Sequence, residues 1–242
     1  MKSFWYCKYK LAHRGLHNDI YPENSIGAFE NAKEQGFAIE LDVRLLKDDS
    51  VVVIHDANLK RVCGIDKDVE DLMPEDLAEC KILSSKYTIP TLKQVLEIID
   101  GKTPIMIELK PIKKEKKLAQ KVYELIKDYN GDVAVKSFNP IPMIWFRRHA
   151  PKIPRGMLGS FFEGTIIPRL YKSIIKKLSF YNLVKPDFIS YDVNYLPNKY
   201  LIKKKVPILA WTITNKKMEK IAFEHSNNVI FENYIPDSPI NY

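Results

Sequence analysis

Short runs of strand-forming residues alternate with amphipathic helical stretches along almost the whole chain, and that order leaves few folds open. KLAHRG predicts a short strand. NSIGAFENAKEQG predicts a helix, with Asn24 or Ser25 as its cap, Ala28, Phe29 and Ala32 on one face, and Gly36 at its end. AIELDVRLL and VVVIHD read as strands around the turn tetrapeptide KDDS, as a hairpin or a strand extension. TLKQVLEIIDG is helical, with Leu92, Val95, Leu96 and Ile99 at helical spacing. PIMIELK, DVAVKSF, RGMLGS, DFISYDV, PILAWTI and NVIFEN read as further strands. The helices between them are expected over KKLAQKVYELIKDYNG, PMIWFRRH, RLYKSIIKKLSFYN, NKYLIKKK and KKMEKIAFEH. About eight strands with intervening helices predict an α/β fold with a parallel sheet, and a closed TIM (β/α)8 barrel fits the count and the 242-residue length. An open doubly wound sheet is the alternative, but the chain has no GxGxxG or Walker loop to support it.

Residues 1–242 are expected to form one domain, with one interruption. Residues 57–90 make a long insertion after the second strand region, with a short helix around PEDLAEC, where a barrel carries a lid or substrate wall. Apolar runs are short and broken by charges, so no segment is expected to span a membrane, and the N-terminal stretch lacks the pattern of a signal peptide. Cys7, Cys63 and Cys80 form no CxxC pair and fit a reducing compartment, so the expected location is cytoplasmic. The net charge of +8 is concentrated in KPIKKEKK (110–117), KSIIKKL (172–178) and KKK (203–205). Such runs read first as solvated helix faces and second as attraction to an anionic substrate or a membrane surface. No recognised module points to nucleic acid.

The chemistry lies at the predicted strand ends. AHRG supplies His13 and Arg14, IELDV supplies Glu40 and Asp42, VVVIHD supplies His55 and Asp56, and PIMIELK supplies Glu108 and Lys110. In a strand, residues two apart share a face, so Glu40 and Asp42 form one pair and Glu108 and Lys110 another. Each residue alone has a plain structural role open to it: a hydrogen-bonded histidine, or Glu40 paired with Lys110 or Arg14. Three acids at one mouth are harder to accommodate, because a buried unpaired charge costs several kcal/mol. Arg14 and Lys110 partly offset them; a divalent ion does so better, and three carboxylates without thiolates favour Mg2+ or Ca2+. Two imidazoles can divide proton transfer beside such an ion, and a metal with Arg and Lys suits an oxyanion that gains charge, above all a phosphoryl group. These residues therefore point to metal-assisted cleavage of a phosphate ester.

In this order, AHRG (12–15), PENSIGAFENAKEQG (22–36), IELDVRLLKDDSVVVIHD (39–56), LKRVCG (59–64), IPTLKQVL (89–96), IMIELK (105–110), SF (137–138) and AWTI (210–213) resemble the glycerophosphodiester phosphodiesterase family. The resemblance implies a TIM barrel, a divalent ion and hydrolysis of small glycerophosphodiesters to glycerol 3-phosphate and an alcohol. It implies His13 and His55 as the acid–base pair and Glu40, Asp42 and Glu108 as metal ligands. Arg14 and Lys110 would contact the phosphate, Trp211 would line the pocket, and the insertion would cover the glycerol side. Trp211 is equally open to barrel-core packing. Asp56 is expected to orient His55 or Arg14, and Asn24 to cap a helix. Two stretches depart from the family pattern: NNVIFENYIP (227–236) stands where DGIITD and a proline are usual, and Cys63–Gly64 replaces a threonine–glycine pair. A lysophospholipase D working at a membrane surface is the alternative on the same fold. Its rim would be FWYCKY (4–9) or GSFFEGTIIPRLY (159–171). A non-catalytic barrel that binds phosphorylated head groups is the alternative of another class.

Overall fold

The computed structural model describes residues 4–111, 113–164, 166 and 168–241. Within them the strands are β1 (Leu11–Ala12), β2 (Ala38–Leu45), β3 (Val51–Val53), β4 (Ile105–Leu109), β5 (Val133–Ser137), β6 (Arg155–Gly159), β7 (Phe188–Asp192), β8 (Ile208–Ile213) and β9 (Asn228–Phe231). Eight of them run parallel in the order β1-β9-β8-β7-β6-β5-β4-β2, and β1 pairs with β2 to close a barrel. The closed barrel agrees with the expected TIM (β/α)8 architecture. β3 is antiparallel to β2, with Val51 opposite Leu45 and Val53 opposite Val43. VVVIHD is therefore the returning arm of a hairpin outside the barrel.

The helices are α1 (Trp5–Lys8), α2 (Ile26–Glu34), α3 (Lys60–Cys63), α4 (Leu92–Ile99), α5 (Glu115–Ile126), α6 (Pro140–His149), α7 (Arg169–Lys176), α8 (Tyr181–Val184) and α9 (Lys216–Phe223). Capping sets several of their starts. Ser25 Oγ accepts the Ala28 amide at α2, and Thr91 and Gln94 form a reciprocal capping box at α4. Asn24 is not the cap of α2; its side chain serves another residue, described below. NKYLIKKK is not a helix. A 3-10 turn at Val193–Tyr195 is followed by turns through residues 199–203, because this stretch has no apolar stripe wide enough to hold a helix on the barrel. The single helix expected over RLYKSIIKKLSFYN is split into α7 and α8, with Leu178 in the left-handed region at φ 53° between them.

Alternation along the strands creates two cores. Outward residues such as Ile39, Leu41, Ile107 and Val135 pack with Phe29, Leu92, Val95 and Val122 of the helices. Inward residues Leu11, Ala38, Met106, Ala134, Phe188, Leu209 and Ile230 form an apolar floor at the N-terminal end of the barrel. The missed helix α1 closes that floor with Tyr6, which is fully buried against Phe188. FWYCKY thus plugs the end of the barrel opposite the mouth and offers no rim there. The insertion carries α3 and three 3-10 segments, and the short helix expected around PEDLAEC is the middle one, a 3-10 helix over Pro74–Glu79. A small apolar cluster shared with the hairpin holds it, joining Leu59, Val62, Val69, Leu72, Leu77 and Cys80 to Leu46, Val52 and Ile54. Among the described residues no helix is long and apolar enough to cross a membrane.

Candidate active site

Two residues beyond the floor, the same strands turn polar. Leu11 is followed by His13, Ala38 by Glu40, Met106 by Glu108, Ala134 by Lys136, Leu209 by Trp211 and Ile230 by Glu232. Asp42 and Lys110 come one step further up. His13, Arg14, Asp42, His55, Glu108, Lys110, Lys136, Trp211 and Glu232 line one cavity of about 740 Å3. Glu40 lies beneath it, fully buried.

The carboxylates of Glu40, Asp42 and Glu108 are buried, and ligand oxygens from the three lie within 4.8 Å of one another. Lysines sit among them. Lys110 Nζ donates to Glu108 Oε1 at 2.7 Å and lies 3.5 Å from Asp42 Oδ1. Lys136 Nζ lies 2.9 Å from Glu40 Oε1 and 3.3 Å from Glu108 Oε2. Arg14 Nε is 3.5 Å from Asp42 Oδ2. Burial opposes ionisation of Asp42, but Lys110, then His55 and Arg14, hold its carboxyl well below the usual range. Burial likewise opposes Glu108, and Lys110 and Lys136 outweigh it. Burial disfavours charge on both lysines too, yet their carboxylate neighbours raise Lys110 and Lys136 above the ordinary lysine value.

Lys136 changes the charge argument. With it, three carboxylates face three cations, so neutrality alone does not demand an ion. The residues nevertheless fit one: three oxygen donors converge, no thiolate is among them, and Glu40 Oε1 has an ion-pair partner but no hydrogen-bond donor aligned on it. Lys136 was legible in principle, since in VAVKSF it shares a face with Ala134 and sits beside Glu108 in the register.

Each histidine has a carboxylate on its Nδ1. His13 Nδ1 meets Glu232 Oε2 at 2.6 Å, and His55 Nδ1 meets Asp56 Oδ1 at 2.7 Å. Asp56 therefore serves His55 and not Arg14. Burial, then Lys110, pushes the His55 imidazolium below its ordinary value. Arg44 Nε and Nη2 donate to the His55 carbonyl at 2.9 and 2.7 Å, and its Nη1 donates to the Lys110 carbonyl at 2.9 Å, tying the hairpin arm to β4. Arg61, on α3 of the insertion, donates to Asp56 Oδ2 at 2.6 Å and to both oxygens of Glu23 at 2.7 and 2.9 Å. Glu23 in turn accepts Arg14 Nη1 at 2.8 Å. One line of paired charges thus runs from His55 through Asp56, Arg61 and Glu23 to Arg14. Arg44, Arg61, Glu23 and Glu232 carried no sequence assignment of their own, because their partners lie on other elements.

Local backbone geometry completes the mouth. Arg14 and Asn24 adopt φ 56° and 55°, a conformation that non-glycine residues take at a cost of about 1–3 kcal/mol. In it the Arg14 amide donates to Glu40 Oε2 at 3.1 Å. Asn24 Nδ2 donates to Asp42 Oδ2 at 3.0 Å, while its Oδ1 accepts the Asp42 amide at 3.3 Å. Gly15 follows at φ 80°, and a Cβ there would lie 2.9 Å from Ala28 and Phe29 of α2. On the far side, Trp211 stands edge to face with Phe138 and both line the cavity, while Trp211 also packs on the floor cluster. Trp211 thus faces the cavity and packs on the floor at once. Phe162, Tyr171 and Ile175 extend that apolar wall.

The fold and the site define a (β/α)8 barrel whose mouth combines two carboxylate-held imidazoles with an acidic trio and cations suited to a phosphate. The sequence matches the glycerophosphoryl diester phosphodiesterase family over residues 13–234, and the chain belongs to that family. It is 30% identical to a glycerophosphodiester phosphodiesterase of Caldanaerobacter subterraneus subsp. tengcongensis, over 96% of each chain. It is 31% identical to a lysophospholipase D of Rattus norvegicus, over 89% of this chain and 72% of the relative. The fold resembles that of an Oleispira antarctica phosphodiesterase solved with the product sn-glycerol-3-phosphate, with a TM-score of 0.77, 22% identity, and coverage of 93% and 92% of the two chains.

Proposed function

We propose that the protein hydrolyses small glycerophosphodiesters to glycerol 3-phosphate and an alcohol, with one domain carrying the whole site. The observation that carries this reading is the meeting of two carboxylate-held imidazoles with Arg14 and Lys110 on one cavity wall. Arg14 and Lys110 bind the phosphate oxygens and take up charge as it grows on them. One imidazole accepts a proton from the attacking water, or from a glycerol hydroxyl whose cyclic phosphate water then opens, and the other gives a proton to the departing alkoxide. Burial and Lys110 favour neutral His55, which suits it to accept a proton. Glu40, Asp42 and Glu108 would hold a divalent ion, Mg2+ or Ca2+, which when bound supplies further positive charge for the phosphoryl oxygens. Trp211 forms the opposite wall. The relative from Caldanaerobacter, named a glycerophosphodiester phosphodiesterase, supports the substrate class. The three free thiols agree with a reducing, cytoplasmic setting. The test is an assay of a glycerophosphodiester panel with EDTA, Mg2+, Ca2+ and Mn2+. Glycerol 3-phosphate released only with metal supports the reading; no hydrolysis under any condition would leave a head-group-binding barrel in its place.

A second reading, lysophospholipase D-type cleavage at a membrane surface, draws on the apolar wall. Phe138, Trp211 and Tyr171 line the cavity, and the neighbour of Tyr171 on α7, Leu170, is 74% exposed. Within GSFFEGTIIPRLY, Thr165 and Ile167 lie outside the described residues. Comparing turnover of glycerophosphocholine with that of lysophosphatidylcholine separates the two readings.

A further inference from the structure

Closing the barrel joins residues that are 219 apart in the chain. At the seam between β1 and β9, the His13 amide donates to the Phe231 carbonyl at 2.8 Å, and on the other side of β9 the Glu232 amide donates to the Ile213 carbonyl of β8 at 2.9 Å. Both backbones are therefore fixed where their side chains meet. The Glu232 carboxylate lies 2.6 Å from His13 Nδ1, in a part-buried setting where a charge-assisted bond is little weakened by solvent. His17 Nε2 lies 3.7 Å from the same oxygen. The close contact with His13, then the nearby His17 imidazole, keeps Glu232 well below the usual carboxylate range, so it is ionised near neutral pH. An ionised carboxylate only accepts, so the hydrogen of a neutral His13 ring belongs on Nδ1 and the lone pair on Nε2. Nε2 is the nitrogen on the acidic side of the mouth, 4.0 Å from Glu40 Oε2.

We propose that Glu232 is a positioning residue for His13, holding Nδ1–H so that Nε2 is the nitrogen that exchanges protons with the substrate. This rests on the reading of His13 as a proton-transfer group. His55 and Asp56 make the same pair from a different part of the chain, the hairpin arm, which the seam does not touch. The barrel thus arrives twice at one device, once between sequence neighbours and once across its closure.

The test uses the full chain and two measurements. Ring 15N NMR of the metal-free protein reads the His13 tautomer directly, with His13→Ala to assign its signals. The expected result is the Nδ1–H form in the parent and a shift toward the Nε2–H form in Glu232→Ala. In metal-loaded enzyme, Glu232→Ala is expected to lower kcat about 100-fold while KM stays within about threefold, and Glu232→Asp, which keeps the charge, recovers part of the loss. A parental tautomer in Glu232→Ala overturns the proposal. So does a kcat within about twofold of the parent when His13→Ala is inactive. If His13→Ala itself remains active, the catalytic reading of His13 fails, while the tautomer still decides whether Glu232 holds the ring. Should Glu232→Ala not fold, Glu232→Leu, which fills similar space without an acceptor, carries both measurements, with the same tautomer shift required of it.

Discussion

The floor and the mouth of the barrel come from the same strands, two residues apart, and are held together in opposite ways. The floor joins Leu11, Ala38, Met106, Ala134, Phe188, Leu209 and Ile230 under Tyr6, and every contact adds apolar burial, worth about 1.5–3 kcal/mol for a large side chain. The mouth replaces them with His13, Glu40, Glu108, Lys136, Trp211 and Glu232. There each buried charge costs desolvation, and pairing returns it only when geometry is good. Gly156 shows how tightly the floor is fitted: a Cβ on it would lie 2.2 Å from the Phe188 ring. Glu40 Oε1 and Trp211 Nε1 show the opposite at the mouth, where buried polar atoms lack a hydrogen bond. The period of two that makes the floor dry places a reactive layer directly above it. Stability and chemistry are thus separated along one strand axis.

The sharpest separation is expected from the histidines. His13→Ala and His55→Ala should each lower glycerol 3-phosphate release by about 1,000-fold or more, with the thermal midpoint close to the parent. A large fall in the midpoint would show that the imidazoles belong to the structural layer. Lys136→Met should blur the line. It leaves Glu40 and Glu108 underpaired in the interior and is expected to destabilise the fold by about 3–5 kcal/mol in EDTA. Added divalent ion should then raise the variant's midpoint more than the parent's, because the ion takes over the missing charge. No shift in either protein would mean that the acidic trio holds no ion.

Sequence revealed this arrangement wherever one element carries it. IELDV and IMIELK show their acidic faces by alternation alone, and HRG, HD and PEN lie close enough along the chain to be read together. Asn24 looked like a cap because its neighbour Ser25 is one; only the left-handed turn that aims it at Asp42 sets it apart. Lys136 was hidden by being one lysine in a lysine-rich chain. Glu232 and Arg61 depend on contacts across 219 and 38 residues, which no local pattern encodes. α1 was obscured for a related reason: four residues have too little helical period to show, and its place is fixed by the floor that Tyr6 fills.

A floor substitution should change stability without changing chemistry. Gly156→Ala is expected to cost roughly 1–3 kcal/mol as Phe188 is displaced, with kcat per folded molecule within about twofold of the parent. A large loss of kcat at full folding would mean that strain at the floor reaches the mouth through β6 and β7.

The smallest expected effect tests the charged line above the mouth by its pH dependence. Burial opposes ionisation of Asp56, but its hydrogen bonds from Arg61 and His55 bring the folded value down to about 2. Glu23 is lowered as well: burial opposes it, and Arg61 and Arg14 outweigh the burial. A depressed carboxylate stabilises the fold above its unfolded value, about 3.9 for Asp, and loses that contribution as pH falls through the folded value. Arg61→Met removes the leading favourable partner of both acids, so their folded values should rise and the window should narrow. The variant should therefore melt below the parent at pH 7, and the gap should narrow clearly on acidification to about pH 2.5, closing only below about pH 2. Because the Arg61 side chain is 47% exposed, the gap at pH 7 should be modest and should shrink with added salt. Gly156→Ala supplies the contrast, since a packing defect should hold its gap at both pH values. If Arg61→Met behaves like Gly156→Ala, Arg61 contributes by packing and the charged line is not an electrostatic unit.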